Sequence, residues 1–210
     1  MYNQGRSGQI LLGDAQFVVP PGSPDNAQDE VAAIGQILGQ AAGTVISDLG
    51  ELLNLLDAGS TGLLHFACHN TFSLDTGGSS IKMVGGAFVP ALLNSAVGRR
   101  CLAARSPLIS INACRSAGVS AQYTQMMGWA SQFMEAGAGA FVGTLWPVRS
   151  SQASLFAEAF YSALTAGASL GQASLTARQT AKDDADPTWL AYATYGDPTA
   201  RSVSRLWHSA

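Results

Sequence analysis

Three apolar runs decide what this chain of 210 residues can become: Gly62 to His69, Pro107 to Asn112 and Ala140 to Trp146. Each is short, bounded by turn-forming or polar residues, and nearly free of alternating polar positions. Such runs fit strands buried on both faces, as in a parallel sheet covered by helices on either side. The segments between them carry helical spacing. Asp29-Glu30 opens one helix, with Val31, Ile34, Ile37 and Leu38 in period. The two acids in its first turn suit the helix dipole. Leu49, Leu52, Leu53 and Leu56 mark a second helix that ends before Gly59. Further helices are predicted from Pro90 to Val97, Met126 to Met134, Leu155 to Leu164 and Leu170 to Ala181. Shorter strands are predicted at Gln16 to Val19, Thr44 to Ile46, Ile81 to Val84 and Tyr192 to Tyr195, and Asn70 to Ser80 reads as a polar loop. Strands alternating with helices predict an α/β fold with a mainly parallel sheet.

The length suits one large domain, taken as residues 15–200, with an extension over 1–14 and a tail over 201–210. Hydrophobic residues make up 47% of the chain and charged residues 12%. This implies a large core and a surface of Ser, Thr, Gln and Gly, with no need of a disulfide or metal to hold it. Net charge is −3, and the longest basic run is Arg99-Arg100, which excludes nucleic-acid binding driven by electrostatics. An odd count of three cysteines, Cys68, Cys101 and Cys114, points to a reducing, cytoplasmic setting. Met1 to Gln9 is too polar for a secretory signal. No apolar stretch approaches the roughly 20 residues that span a bilayer.

The chemistry concentrates at two strand ends. His65-Phe66-Ala67-Cys68-His69-Asn70 closes the first run, and Ser110-Ile111-Asn112-Ala113-Cys114-Arg115-Ser116 closes the second, about 45 positions later. In parallel sheets, catalytic groups gather at the carboxyl ends of strands. Neighbouring strands lie about 4.8 Å apart, so a histidine and a cysteine ending adjacent strands would meet. Cys114 would then serve as a thiolate nucleophile and His69 as its general base and later general acid. The backbone amides of Cys114 and Asn70 are the simplest oxyanion donors. No third catalytic side chain is evident, and a backbone carbonyl can orient the histidine ring. His65 and Cys68 raise the question of a metal. Strand alternation puts 65 and 69 on one face and 68 on the other, and a structural zinc needs four ligands, so neither metal nor cofactor is expected. There is no G-x-S-x-G elbow in triad order, no C-x-x-C and no phosphate-binding G-x-x-x-x-G-K-[ST].

Asn112-Ala113-Cys114-Arg115-Ser116, with its histidine upstream, approaches the caspase signature Q-A-C-[RQG]-G. More of the chain resembles the CHAT domain, a bacterial branch of the caspase-like peptidases. The resemblance rests on Leu63 to Asn70, Ser80 to Met83, Leu108 to Ser116, the segment from Gly137 through Trp146 to Val148, and Tyr195-Gly196-Asp197-Pro198. It implies a caspase-like three-layer sandwich and a cysteine endopeptidase with His69 and Cys114 as its dyad. It also implies a protein substrate, with bacterial gasdermins one class among possible effectors, and an activating sensor protein, in bacterial defence or regulated proteolysis. Two positions depart from the family pattern. Asn70 stands where glycine usually follows the histidine, and asparagine tolerates unusual backbone angles. Arg149 stands near where related proteases carry an acid for a basic P1 side chain. Arg149 would instead favour an acidic or polar P1 residue through paired hydrogen bonds. Asp75, Arg115 and Trp146 are further candidates to line the substrate cleft. The stretch between Cys114 and Ala140 holds no long Asp-rich segment, so the active chain is expected to be uncut. A catalytically silent interaction module on the same fold is the alternative reading.

Overall fold

The computed structural model of the chain describes residues 8–40, 45–73, 78–114 and 125–203. In chain order these contain β1 (Gln9–Leu11), β2 (Ala15–Val18), α1 (Ala27–Ile37), β3 (Val45–Ile46), α2 (Leu49–Ala58), β4 (Leu63–His69), β5 (Thr71–Ser73), β6 (Gly78–Met83) and β7 (Gly86–Phe88). A 3₁₀ turn (Pro90–Leu93) leads into α3 (Asn94–Arg99). Then follow β8 (Leu108–Cys114), α4 (Gln125–Ala136), β9 (Ala140–Thr144), α5 (Ser150–Thr165), α6 (Leu170–Thr180), α7 (Thr188–Ala191), β10 (Tyr192–Gly196) and β11 (Arg201–Val203).

The central sheet has the order β10-β9-β8-β4-β2-β3. Every pairing is parallel except β10 with β9. The three apolar runs are the three adjacent inner strands β4, β8 and β9. One face packs on α1, α5 and α6 through Phe17, Val31, Ile34, Leu63, Leu108, Phe160 and Leu164. The other packs on α2, α3 and α4 through Leu52, Leu56, Phe66, Ile109, Ile111 and Phe133. The molecule is thus three-layered, with a separate core on each side of the sheet. Ile34, Leu56 and Phe133 are each at most 1% exposed, and burying a side chain of this kind stabilises by about 1.5–3 kcal/mol.

Local chemistry sets the element ends. The Asp48 side chain accepts from the Glu51 N–H to cap α2, and Gly59 ends that helix in the left-handed region at φ 58°, where glycine carries no Cβ penalty. Gly137, at the turn from α4 into β9, has φ +107°, and a Cβ there would lie 2.5 Å from the Ala103 nitrogen. Backbone cannot yield as a side-chain tip does. Gly137→Ala is therefore expected to lose about 2 kcal/mol or more, from left-handed strain and overpacking together, read as a lower urea midpoint with an unchanged slope.

Several segments differ from the sequence reading. Asn70 to Ser80 is not simply a loop: β5 and the start of β6 fall in it and pair antiparallel, Thr71 with Ser80. The side chains by which the small sheet β5-β6-β7 enters the core, Ile81, Met83 and Phe88, come after this stretch, so its first residues carry no apolar period. Helix α5 begins at Ser150 rather than Leu155. Its first turn has no apolar stripe, and Asn26 Nδ2 holds it by donating to the Ser150 carbonyl and to Ser154 Oγ. The segments taken as extension and tail supply β1 and β11, which pair in parallel from Gln9–Arg201 to Leu11–Val203. No helix among the described residues is long and apolar enough to cross a membrane.

Candidate active site

Strands β4 and β8 run side by side in one register over seven pairs, from Leu63–Leu108 to His69–Cys114. The two residues singled out by the sequence therefore occupy opposing positions on the last rung, at the carboxyl edge of the sheet. Asn70 follows directly. Its side chain is buried, its Nδ2 donates to Ser79 Oγ at 3.5 Å, and its Oδ1 has no hydrogen-bond partner among the described residues. The bond to Ser79 ties the exit of β4 to β6. Asp75 and Arg115 lie outside the described residues.

At the same edge, the chain leaving β9 carries Trp146 to Arg149. Trp146 is half-buried against Val148, Ala153 and Ala191. The Arg149 guanidinium, 77% exposed, ion-pairs through Nε to Asp186 Oδ2 at 2.9 Å. The Arg149 N–H donates to Thr188 Oγ1 at 3.2 Å. Asp186 is itself buried, and Thr188 N–H donates to its Oδ1 at 2.8 Å. Those bonds from Thr188, with the Arg149 charge, hold the Asp186 carboxyl below the usual carboxylate range. An acid thus stands beside Arg149 after all, supplied from the segment before α7 rather than from the run that follows Trp146.

The sequence reading missed a polar network directly beneath the last rung. Glu30, in the first turn of α1, is 5% exposed. Its Oε1 meets His65 Nε2 of β4 at 2.9 Å and Asn112 Nδ2 of β8 at 2.8 Å, and its Oε2 accepts from Ser154 Oγ of α5 at 2.7 Å. Asn112 Nδ2 also donates to the Ala153 carbonyl at 3.2 Å, and Asn112 Oδ1 accepts from the Tyr192 hydroxyl at 2.6 Å. His65 Nδ1 lies 3.0 Å from the Tyr161 hydroxyl, which also bonds Ser110. A carboxylate only accepts, so His65 Nε2 carries the proton toward Glu30. The signal was present in the sequence: His65 and Asn112 are polar interruptions of apolar strands, four and two residues before the dyad positions.

Burial pushes the Glu30 carboxyl up, but the His65 hydrogen bond and charge, with the bonds from Asn112 and Ser154, outweigh it and leave it below its ordinary 4.5. Burial holds the Tyr161 hydroxyl well above its ordinary range against the opposing bond from Ser110, so it stays an O–H donor. For Glu30 the unfolded chain binds the proton more readily than the fold does. Its contribution to stability is therefore complete above about pH 4.5 and is lost as pH falls through the lowered native value. The titratable side chains facing Glu30 here are His65 and, through it, Tyr161. Urea midpoints of the wild-type chain are expected to drop on acidification from pH 6 to pH 3, and more steeply than those of Glu30→Gln. Parallel profiles would refute the assignment.

No group of three or more His, Cys, Asp or Glu among the described residues is placed to hold a metal ion.

The family model of the CHAT domain matches residues 3–202. No curated protein matches the chain. Among solved structures, the chain resembles Saccharomyces cerevisiae separase, in its complex with securin, at TM-score 0.60 and 14% identity, over 93% of this chain and 13% of that one. It resembles the Arg-specific cysteine proteinase gingipain R at TM-score 0.59 and 12% identity, over 93% of this chain and 47% of that one. The chain thus spans less than half of either relative. The likeness is one of fold: a caspase-like α/β sandwich around a mostly parallel sheet.

Proposed function

The chain belongs to the CHAT domain family, and from that premise we propose that it is a cysteine endopeptidase cutting a protein substrate with Cys114 and His69. The observation that carries this reading is the in-register opposition of His69 and Cys114 on the last rung of β4 and β8. At about 4.8 Å between strands, adjacent side chains of this length come within reach of a proton transfer.

In this reading His69 draws the thiol proton, and the Cys114 thiolate attacks the scissile carbonyl carbon. The oxyanion is held by the backbone N–H groups of Asn70 and Cys114. As the tetrahedral species collapses, His69 gives the proton to the departing amine. The thioester left on Cys114 is hydrolysed by a water that His69 deprotonates, and the thiolate is released. The substrate side chain at P1 meets the segment from Trp146 to Arg149. Arg149 selects an acidic or polar P1 residue, and its pairing with Asp186 holds the guanidinium in place. The setting is cytoplasmic, in bacterial defence or regulated proteolysis, with a sensor protein as activator.

A P1-scanned fluorogenic peptide library tests this, with wild type beside His69→Ala and Arg149→Ala. Turnover that vanishes in His69→Ala, and an acidic P1 preference that Arg149→Ala weakens about tenfold or more, is the expected result. A wild-type preference for basic P1 residues would transfer the specificity role to Asp186. Absence of turnover in the wild type would favour the silent interaction module.

A further inference from the structure

The face of the sheet below the dyad changes character in steps. The row Leu63–Leu108 is apolar and packed in the core. The rows His65–Ser110 and Ala67–Asn112 above it carry the buried polar network, and His69–Cys114 follows. A buried carboxylate is an expensive way to fill such space. Well-packed apolar side chains of similar volume are often as stable or more so. What a carboxylate supplies and an apolar group cannot is direction, through short charge-assisted bonds of fixed geometry.

The direction here is specific. One oxygen, Oε1 of Glu30, receives both His65 from β4 and Asn112 from β8. The other oxygen is fixed by Ser154 of α5, and Asn26 ahead of α1 binds the same hydroxyl. Helices α1 and α5 both begin at the carboxyl edge of the sheet, following β2 and β9. The positive ends of their dipoles therefore face the Glu30 charge. The Asn112 amide is fixed on both sides, by Glu30 and Ala153 at nitrogen and by Tyr192 at oxygen.

We propose that Glu30 is a positioning residue for the peptidase reaction, its single bridging oxygen setting the relative height of the two strand ends that bear His69 and Cys114. This rests on the peptidase reading. The backbone ladder between β4 and β8 fixes strand spacing, but it ends at the dyad rung. The bridge through Glu30 acts one and two rows below, where it limits sliding and twist of the last residues. A nucleophile and base displaced by about 1 Å lose rate on the order of 10²-fold, so the bridge acts on kcat rather than on substrate affinity.

The test follows alkylation of Cys114 by iodoacetamide against pH, by peptide mapping, in wild type, His69→Ala, Glu30→Gln, Asn112→Ala and Leu56→Ala. Leu56 lies in the core on the opposite sheet face and controls for lost stability. The peptidase reading requires the His69→Ala midpoint to lie above that of the wild type. The positioning role requires Glu30→Gln and Asn112→Ala to move at least half of that distance while Leu56→Ala stays with the wild type. On the best library peptide, both network variants are expected to lose at least tenfold in kcat with KM within twofold. If His69→Ala coincides with the wild type, the dyad fails and the positioning role falls with it. If His69→Ala shifts but Glu30→Gln and Asn112→Ala do not, the dyad stands and the positioning role is overturned. A Leu56→Ala shift as large as theirs overturns it as well, since the effect would then be general loosening. Should Glu30→Gln fail to fold, Asn112→Ala alone decides, because it frees β8 from Glu30 and leaves the Glu30–His65 bond in place.

Discussion

Replacing Cys114 by alanine is expected to leave a folded chain whose peptide hydrolysis falls by about 10³-fold or more. The expected loss is large because a covalent route depends on its nucleophile, and none of the neighbouring groups can substitute for it. Cys68 precedes His69 on the same strand, but its side chain is wholly buried in the core on the helix α2–α4 face. Cys101 lies in the segment after α3, away from the end of either strand of the dyad rung. Neither is placed to take over. His69→Ala is expected to lose about 10²–10⁴-fold, the usual worth of a positioned general acid–base. Melting temperatures of both variants should remain within a few degrees of the wild type, since Cys114→Ala removes a single sulfur atom and His69 is only half-buried. Loss of activity with loss of fold would be a different result and would not support the dyad.

Phe133→Ala is expected to do the opposite: destabilise strongly and spare the chemistry. Phe133 is fully buried in α4, with ring centroids 6.2–6.4 Å from Phe66, Phe88, Trp129 and Phe141. These rings bridge β4, β7, α4 and β9 on one face of the sheet. Removing a buried phenylalanine costs about 3–5 kcal/mol through lost transfer energy and the cavity left behind, and the ring pairs add to this. For a domain of this size each kcal/mol lowers the melting temperature by about 2–4 °C, so a fall of about 10 °C is expected in a thermal scan. The polar bridge through Glu30 lies on the other face, so kcat measured well below the transition should stay within about threefold of wild type. A melting temperature lowered by less than 3 °C would mean that the site collapses around the deletion, and that the aromatic cluster is not the keystone of this layer.

The contrast between the two sheet faces explains what the sequence could and could not reveal. The inner strands were legible because double-sided burial makes Leu63 to His69, Leu108 to Cys114 and Ala140 to Thr144 nearly continuous in apolar character. Their adjacency was only a condition in the sequence, and it is the parallel register of β4 with β8 that brings His69 level with Cys114. Helix α1 was legible from Val31 and Ile34, yet its Glu30 looked like an ordinary first-turn acid. Nothing local distinguishes a solvated first-turn glutamate from one buried against His65 and Asn112, which lie 35 and 82 positions away. The start of α5 was hidden for a related reason, because Ser150 and Ser154 are held by Asn26 rather than by an apolar stripe. Strands β1 and β11 are three residues each and pair with one another at the margin of the fold, so no periodicity could announce them. In the segment after β9, the departure at Arg149 was visible, but its partner Asp186 was not, since the two are joined only in space.

The most direct test of the dyad is covalent capture. A peptidyl acyloxymethyl ketone carrying the best P1 residue is incubated with wild type and with His69→Ala, and the adduct is located by peptide mapping. The account predicts a single adduct on Cys114 in the wild type and at least a hundredfold slower capture in His69→Ala. Capture on Cys101, or equal rates at Cys114 with and without His69, would contradict it.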